Sequence, residues 1–257
     1  MNNLKMTLET IANSTGRFIA LILLILAAFI IAYFFEKIAD KKALAQGKRP
    51  EEMLSTRKMA ITGVFSAIAF VLMLLEFPLP IAPNFYKFDF SDIPALIGGF
   101  ACGPMVGVMI EFIKVVLNAL IQGPTPGFVG EIANFVIGAA FIIPATVIYR
   151  FNKSRKSALI SCLAGTLCIT LAGAFLNAFF LLPAYAIAYG CGVDNFIAAG
   201  TAINPAVNNL FTFCAICVAP FNLLKGAVDS VITFAVYKQL SPILKSEIHA
   251  AKAAKAE

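Results

Sequence analysis

The chain has 257 residues, of which 60% are hydrophobic and 13% charged, with a mean hydropathy of +0.87 and a formal charge of +6. Soluble domains carry roughly a quarter charged residues, so the composition excludes a soluble globular protein and reads as an integral membrane one. A single histidine, His249 in the polar tail, excludes histidine-dependent triads and histidine metal sites, and no G-x-x-x-x-G-K-[ST] segment is present to cradle a nucleotide.

Spans follow from apolar runs of about 20 residues, the length a helix needs to cross a bilayer. The first is "FIALILLILAAFIIAYFF", residues 18–35, without one charge. A cleaved signal peptide ending near "ALA" at Ala43 to Ala45 is the weaker reading. The run exceeds the usual apolar region of about 7 to 15 residues, and "EKIADKK" separates it from the site. Further helices are expected over residues 59–77, 93–102, 103–121, 128–149, 158–186 and 208–237, seven in all, the third short. These unbroken runs lack the period-two alternation of barrel strands, so the fold class is all-α.

Basic residues gather in three places: Lys37, Lys41, Lys42, Lys48, Arg49, Arg57 and Lys58 after the first span; Arg150, Lys153, Arg155 and Lys156; and Lys238, Lys245, Lys252 and Lys255 in the tail. With seven spans all three fall on one side, and the positive-inside rule makes that side cytoplasmic. The expected topology is a multi-pass protein of the cell membrane, N-terminus outside and C-terminus cytoplasmic. Topology and anionic lipid account for the net charge, so no nucleic-acid partner is implied. Six cysteines are scattered along the chain, five of them in or beside the spans, and the C-x-x-C at Cys214 and Cys217 has neither a second pair nor a histidine. They read as small core residues.

Polar residues inside a membrane cost several kcal/mol unless paired or facing a cavity, so each is a candidate site. After the second helix, "FPLPIAPNFYKFDFSDIPAL" begins with prolines that forbid helix, and then alternates Tyr86, Phe88 and Phe90 with Lys87, Asp89 and Ser91 as an extended strand does. Ser91 or Asp92 is expected to cap the next helix. A loop this long is a candidate lid, with a set of aromatic residues at the lipid interface as the alternative. "EFIKVVLN" puts Glu111, Lys114 and Asn118 on one face, which reads as self-neutralising packing. "GEIAN" adds Glu131 and Asn134 near the outer end of its helix, and "LNAFFLLPAY" adds Asn177 at similar depth. On the last helix Asn222, Lys225 and Asp229 share one stripe, with Lys225 and Asp229 spaced to pair. Amides, one cation and aromatic residues on the outer half suit a flat, uncharged heteroaromatic ligand; a phosphorylated one asks for more accessible cations.

The segments "FPLPIAPNFYKFDFSDIPALIGGFACGPMVGV", "KVVLNAL", "ANFVIG", "LNAFFLLP" and "PFNLLKG" resemble the riboflavin-specific substrate-binding components of energy-coupling factor transporters, over about Lys58 to Tyr237. The resemblance implies a six-helix S-component bundle, residues 58–240, preceded here by an additional transmembrane helix and basic linker, residues 1–57, and followed by a polar tail, residues 241–257. It implies a protein that is not an enzyme and uses no cofactor, with riboflavin as transported ligand. It implies partners as well, a transmembrane coupling protein and two ATP-binding subunits. The family's ring contacts fall on Asn177, Asn222 and Lys225, with the loop, Phe88 and Asp89 in particular, closing the pocket; Asn134 is a further candidate. Small residues on the first bundle helix, Ala60, Gly63 and Ala67, stand where the family docks on the coupling protein, in variant form. The alternative is the same scaffold specific for a flavin nucleotide or another vitamin. Asp229 is extra to the motif, and a role in holding Lys225 charged is expected of it.

Overall fold

A bilayer leaves no backbone group unpaired at lower cost than a helix does, and the chain satisfies this almost throughout. The computed structural model describes residues 15–47, 49–53 and 55–253. Residues 1–14 of the expected N-terminal segment, Lys48 of the linker and Lys255 of the tail lie outside them. The helices are α1 (Thr15–Ala45), α2 (Thr56–Leu74), α3 (Asp92–Cys102), α4 (Pro104–Gln122), α5 (Val129–Phe151), α6 (Arg155–Leu176), α7 (Leu182–Ala188), α8 (Val193–Thr201), α9 (Leu210–Phe213) and α10 (Ala219–Ala253). Wide π turns, Asn177–Leu181 and Cys214–Val218, join α6 to α7 and α9 to α10, so each pair runs as one long span. Six stretches among the described residues are long and apolar enough to cross a membrane, and Asp92–Cys102 is a shorter apolar helix. The chain is thus a multi-pass α-helical membrane protein, with the expected short third helix.

Two strands, β1 (Phe77–Pro78) and β2 (Lys87–Phe88), pair antiparallel with Phe77 opposite Phe88. They fold the connection between α2 and α3 into a hairpin over one end of the bundle, called here the loop end. The opposite, basic end carries Lys58, Arg150 and Arg155. Short α3 is the axle: Asp92 through Phe100 are all buried, and Ala95, Leu96 and Phe100 join Ile110, Phe141, Ile142 and Ile169 in the central core.

Helix α1 is part of this packing. Ala28 and Ala32 sit against Val108, Phe135 and Val136 of α4 and α5, and the Phe29 ring stacks on Phe135 with centroids 5.7 Å apart. Its anchor is Glu36, fully buried: Oε1 accepts from Lys58 Nζ at 2.7 Å and Oε2 accepts from the Met105 backbone N–H at 3.0 Å. That amide belongs to the first turn of α4, where an acceptor from outside the helix is needed. Gly103, at φ 119°, makes room for the carboxylate; a Cβ there would stand 3.0 Å from it. Asp40 and Arg150 add an ion pair at 2.8 Å.

Three features differ from expectation. The tail, read in the sequence only as polar, is helical to Ala253, consistent with its alanine, lysine and glutamate content. Helix α8, with Asp194 in its first turn, occupies the connection between the last two spans. Ser91 stands at the N-cap of α3 without a side-chain capping bond; its N–H donates instead to Asp89 Oδ1 at 2.8 Å.

Candidate functional site

The prolines at 78, 80 and 83 hold the α2–α3 connection out of helix, and its aromatic residues bind it to the loop end of the bundle. Phe88 is buried with Ala82, Leu182, Val207, Phe213 and Phe221, its ring 5.5 Å from Phe77 and 5.3 Å from Phe90. Tyr86 and Phe85 instead turn their rings toward a cavity of about 610 Å³, inside the range of small-molecule sites. Asn177, Asn222, Lys225, Asp89 and Asn134 all line it. Of the residues singled out in the sequence as ligand-binding, only Phe88 stands outside, in the aromatic cluster that backs the loop.

Each amide is pinned by its own helix. Asn177 Nδ2 donates to the Gly173 carbonyl at 2.8 Å and Asn222 Nδ2 to the Val218 carbonyl at 3.0 Å. Gly173 is the meeting point of the two spans, because a Cβ there would lie 2.5 Å from Asn222 Nδ2. Asn177 begins a π turn, and the extra residue in that turn fits its place at a binding site. Asn177 Oδ1 accepts from the Tyr86 hydroxyl at 2.6 Å. Burial, with Cys214 and Cys217 nearby, holds that phenol well above the ordinary tyrosine range, so it stays a donor.

Lys225 corrects an expectation. Its Nζ donates to Asp89 Oδ2 at 2.9 Å and lies 3.5 Å from Asp92 Oδ2, whereas both oxygens of Asp229 are buried without a hydrogen bond. The reason is directional: helical side chains lean toward the N-terminus, which for α10 is the loop end, and the long lysine stem reaches the loop carboxylates while Asp229 cannot follow. The reading of Glu111, Lys114 and Asn118 as a self-contained trio also needs amending. Lys114 Nζ is 2.7 Å from Glu111, outside hydrogen-bond geometry, but it also bonds Asp92 and donates to Ser91 Oγ at 2.7 Å. Asn118, four residues on, lines the cavity.

The cavity therefore has a charged floor built from α3, α4 and α10, amide walls and an aromatic cover. Phe196 of α8 completes the cover, meeting Phe85 edge-on at 5.4 Å. Sequence reasoning passed over Phe85, Tyr185 and Phe196, and read Asn118 as packing although it is a neutral amide one turn outward from Lys114. Far from the cavity, Ala60, Gly63 and Ala67 lie on the exposed face of α2, and nothing stands within 4 Å of a Cβ placed on Gly63.

The family model described as the substrate-specific component of ECF transporters matches residues 57–237. The riboflavin transporter FmnP of Bacillus subtilis is 35% identical over 195 residues, covering 76% of this chain and 97% of that one. The riboflavin transporter RibU of Staphylococcus aureus is 33% identical over 199 residues, covering 77% and 98%. A solved S component of a bacterial ECF transporter superposes with a TM-score of 0.59 at 31% identity, covering 74% of this chain and 98% of that one.

Proposed function

We propose, from the premise that this chain belongs to the substrate-specific components of ECF transporters, that it captures riboflavin from outside the cell. It is a transport component and not an enzyme. The observation that carries the reading is the convergence of Asn177, Asn222 and Lys225 on one cavity beneath the loop. A flavin ring presents carbonyls, ring nitrogens and an imide along a flat edge, and pinned amides with a fixed ammonium read such an edge by aimed hydrogen bonds. Phe85, Tyr86 and Phe196 supply the apolar cover, with ring stacking contributing about 0.5 to 1.5 kcal/mol per pair. Tyr86 and Asp89 occupy Asn177 and Lys225 from the loop side, so ligand binding exchanges or shares these contacts, and the loop acts as the lid.

The basic end is assigned to the cytoplasm, which puts the cavity outside and the C-terminus inside. Delivery inward requires an energising module, a transmembrane coupling protein with two ATP-binding subunits, since this chain has no phosphate-binding loop. Ala60, Gly63 and Ala67 form the docking stripe, where small residues let helices approach closely. One pair of measurements tests the whole reading. Purified protein titrated with riboflavin is expected to quench flavin fluorescence at one-to-one stoichiometry, and to ignore thiamine and biotin. Reconstituted with its module, the wild type is expected to drive ATP-dependent uptake that Gly63→Leu abolishes while still binding. Tight binding of thiamine or biotin without riboflavin contradicts the ligand; uptake undiminished by Gly63→Leu contradicts the docking stripe.

A further inference from the structure

The charges around the cavity do not balance. Among the described residues, its lining holds two cations, Lys87 and Lys225, against four carboxylates, Glu76, Asp89, Asp92 and Glu131, and no arginine. Lys87 is paired with Glu76, and Lys225 with Asp89 and Asp92. Neither cation is left for a ligand's own negative charge.

Glu131 is the carboxylate that no cation offsets among the described residues. Its Oε1 accepts from the Thr125 N–H at 2.9 Å and its Oε2 from Thr125 Oγ1 at 2.5 Å; Thr125 Oγ1 in turn accepts from the Gly130 N–H at 2.9 Å. Both partners of Glu131 are neutral donors, so they fix the carboxylate in place without cancelling its charge. The turn that carries Thr125 is built for this purpose: Gly127 and Phe128 both adopt positive φ, 67° and 56°, and a Cβ on Gly130 would lie 2.8 Å from Thr125. Along α5, Glu131 stands seven residues outward of Gly138, which rests on Glu111 at the floor, a separation of about 10 Å at 1.5 Å per residue. One end of the cavity is therefore negative at the rim, and at the other the lysines of the floor, Lys225 with Lys114 behind it, are already engaged by Asp89 and Asp92.

We propose that this cavity selects the uncharged form of its ligand over the phosphorylated form, with Glu131 as the specificity-determining residue at the rim; the proposal rests on riboflavin being the ligand. A phosphate monoester carries a charge of about −1.5 to −2 at pH 7. Whichever way the flavin lies, that charge meets either the unpaired Glu131 carboxylate or lysines already paired, and no free cation among the described residues.

The test is a paired titration of the full-length purified protein with riboflavin and riboflavin 5′-phosphate. The wild type is expected to prefer riboflavin by at least about tenfold, like-charge juxtaposition being costly in a buried site. Glu131→Gln keeps an acceptor for the Thr125 N–H and removes the charge, and is expected to narrow that preference at least about threefold. The ratio is its own control, because partial unfolding lowers both affinities alike. Gln122→Lys, which adds a cation to the same rim, is expected to narrow it too, and gives an answer if the first variant cannot be purified. Equal or tighter binding of the phosphate by the wild type overturns the proposal; a preference unmoved by either variant overturns the assignment to the rim. Failure to bind riboflavin at all contradicts the proposed function instead.

Discussion

Lys225 reaches from the last span to Asp89 on the loop, 136 residues away, and shares Asp92 with Lys114. Asp229 lies one turn deeper, buried and without a hydrogen bond. The two residues therefore contribute unequally. Lys225→Ala removes a charge-assisted donor and leaves Asp89 without its cation, so riboflavin affinity is expected to fall at least about tenfold, a charged hydrogen bond being worth about 1.5 to 3 kcal/mol. Asp229→Ala touches neither the loop nor the ligand edge and is expected to change affinity by less than about threefold. Isothermal titration of both variants decides this, and a reversed order would contradict the geometry. The stripe of Asn222 and Lys225 was legible in the sequence because helical spacing is local. The identity of the lysine's partner was not, because it depends on how a loop folds back over the bundle. Phe88 was assigned to the pocket by the family resemblance, and alternation puts it on the face of Tyr86; but β2 spans only Lys87–Phe88, so that shared parity ends before it can place both on the cavity.

At the scale of elements, α1 precedes the residues matched by the family model and yet is tied into the bundle by its buried carboxylate. Removing Glu36 strands Lys58, 2% exposed, and frees an amide of the first turn of α4. Breaking a buried pair on one side costs about 3 to 5 kcal/mol. Glu36→Ala is accordingly expected to lower the thermal midpoint in detergent, followed by circular dichroism, and Glu36→Leu with Lys58→Met to recover part of the loss. An unchanged midpoint in Glu36→Ala would show that α1 is held by its apolar face alone. The spans themselves were legible, since each is a run of apolar residues of bilayer length. The π turns were not: one extra residue per turn leaves no mark in hydrophobic periodicity, although it sets where Asn177 stands. Helix α8 was missed because nine residues with one buried position, Gly200, carry too weak a pattern.

For the molecule as a whole, apolar surface faces outward along α1, α2 and α6, as lipid requires, while polar groups are gathered at the loop end around one cavity. The lid, the amides and the charged floor come from segments far apart in sequence, so only assembly of the whole bundle creates the site. The cavity lies at the loop end and the small-residue stripe on the exposed face of α2, so the sites proposed for capture and for docking are separate. The central claim is that Asn177, Asn222 and Lys225 grip one flavin ring together. A structure determined with riboflavin bound tests it most directly. The ring is expected within hydrogen-bond distance of all three side chains and under Tyr86; a ring seated elsewhere, or touching none of the three, would contradict the account.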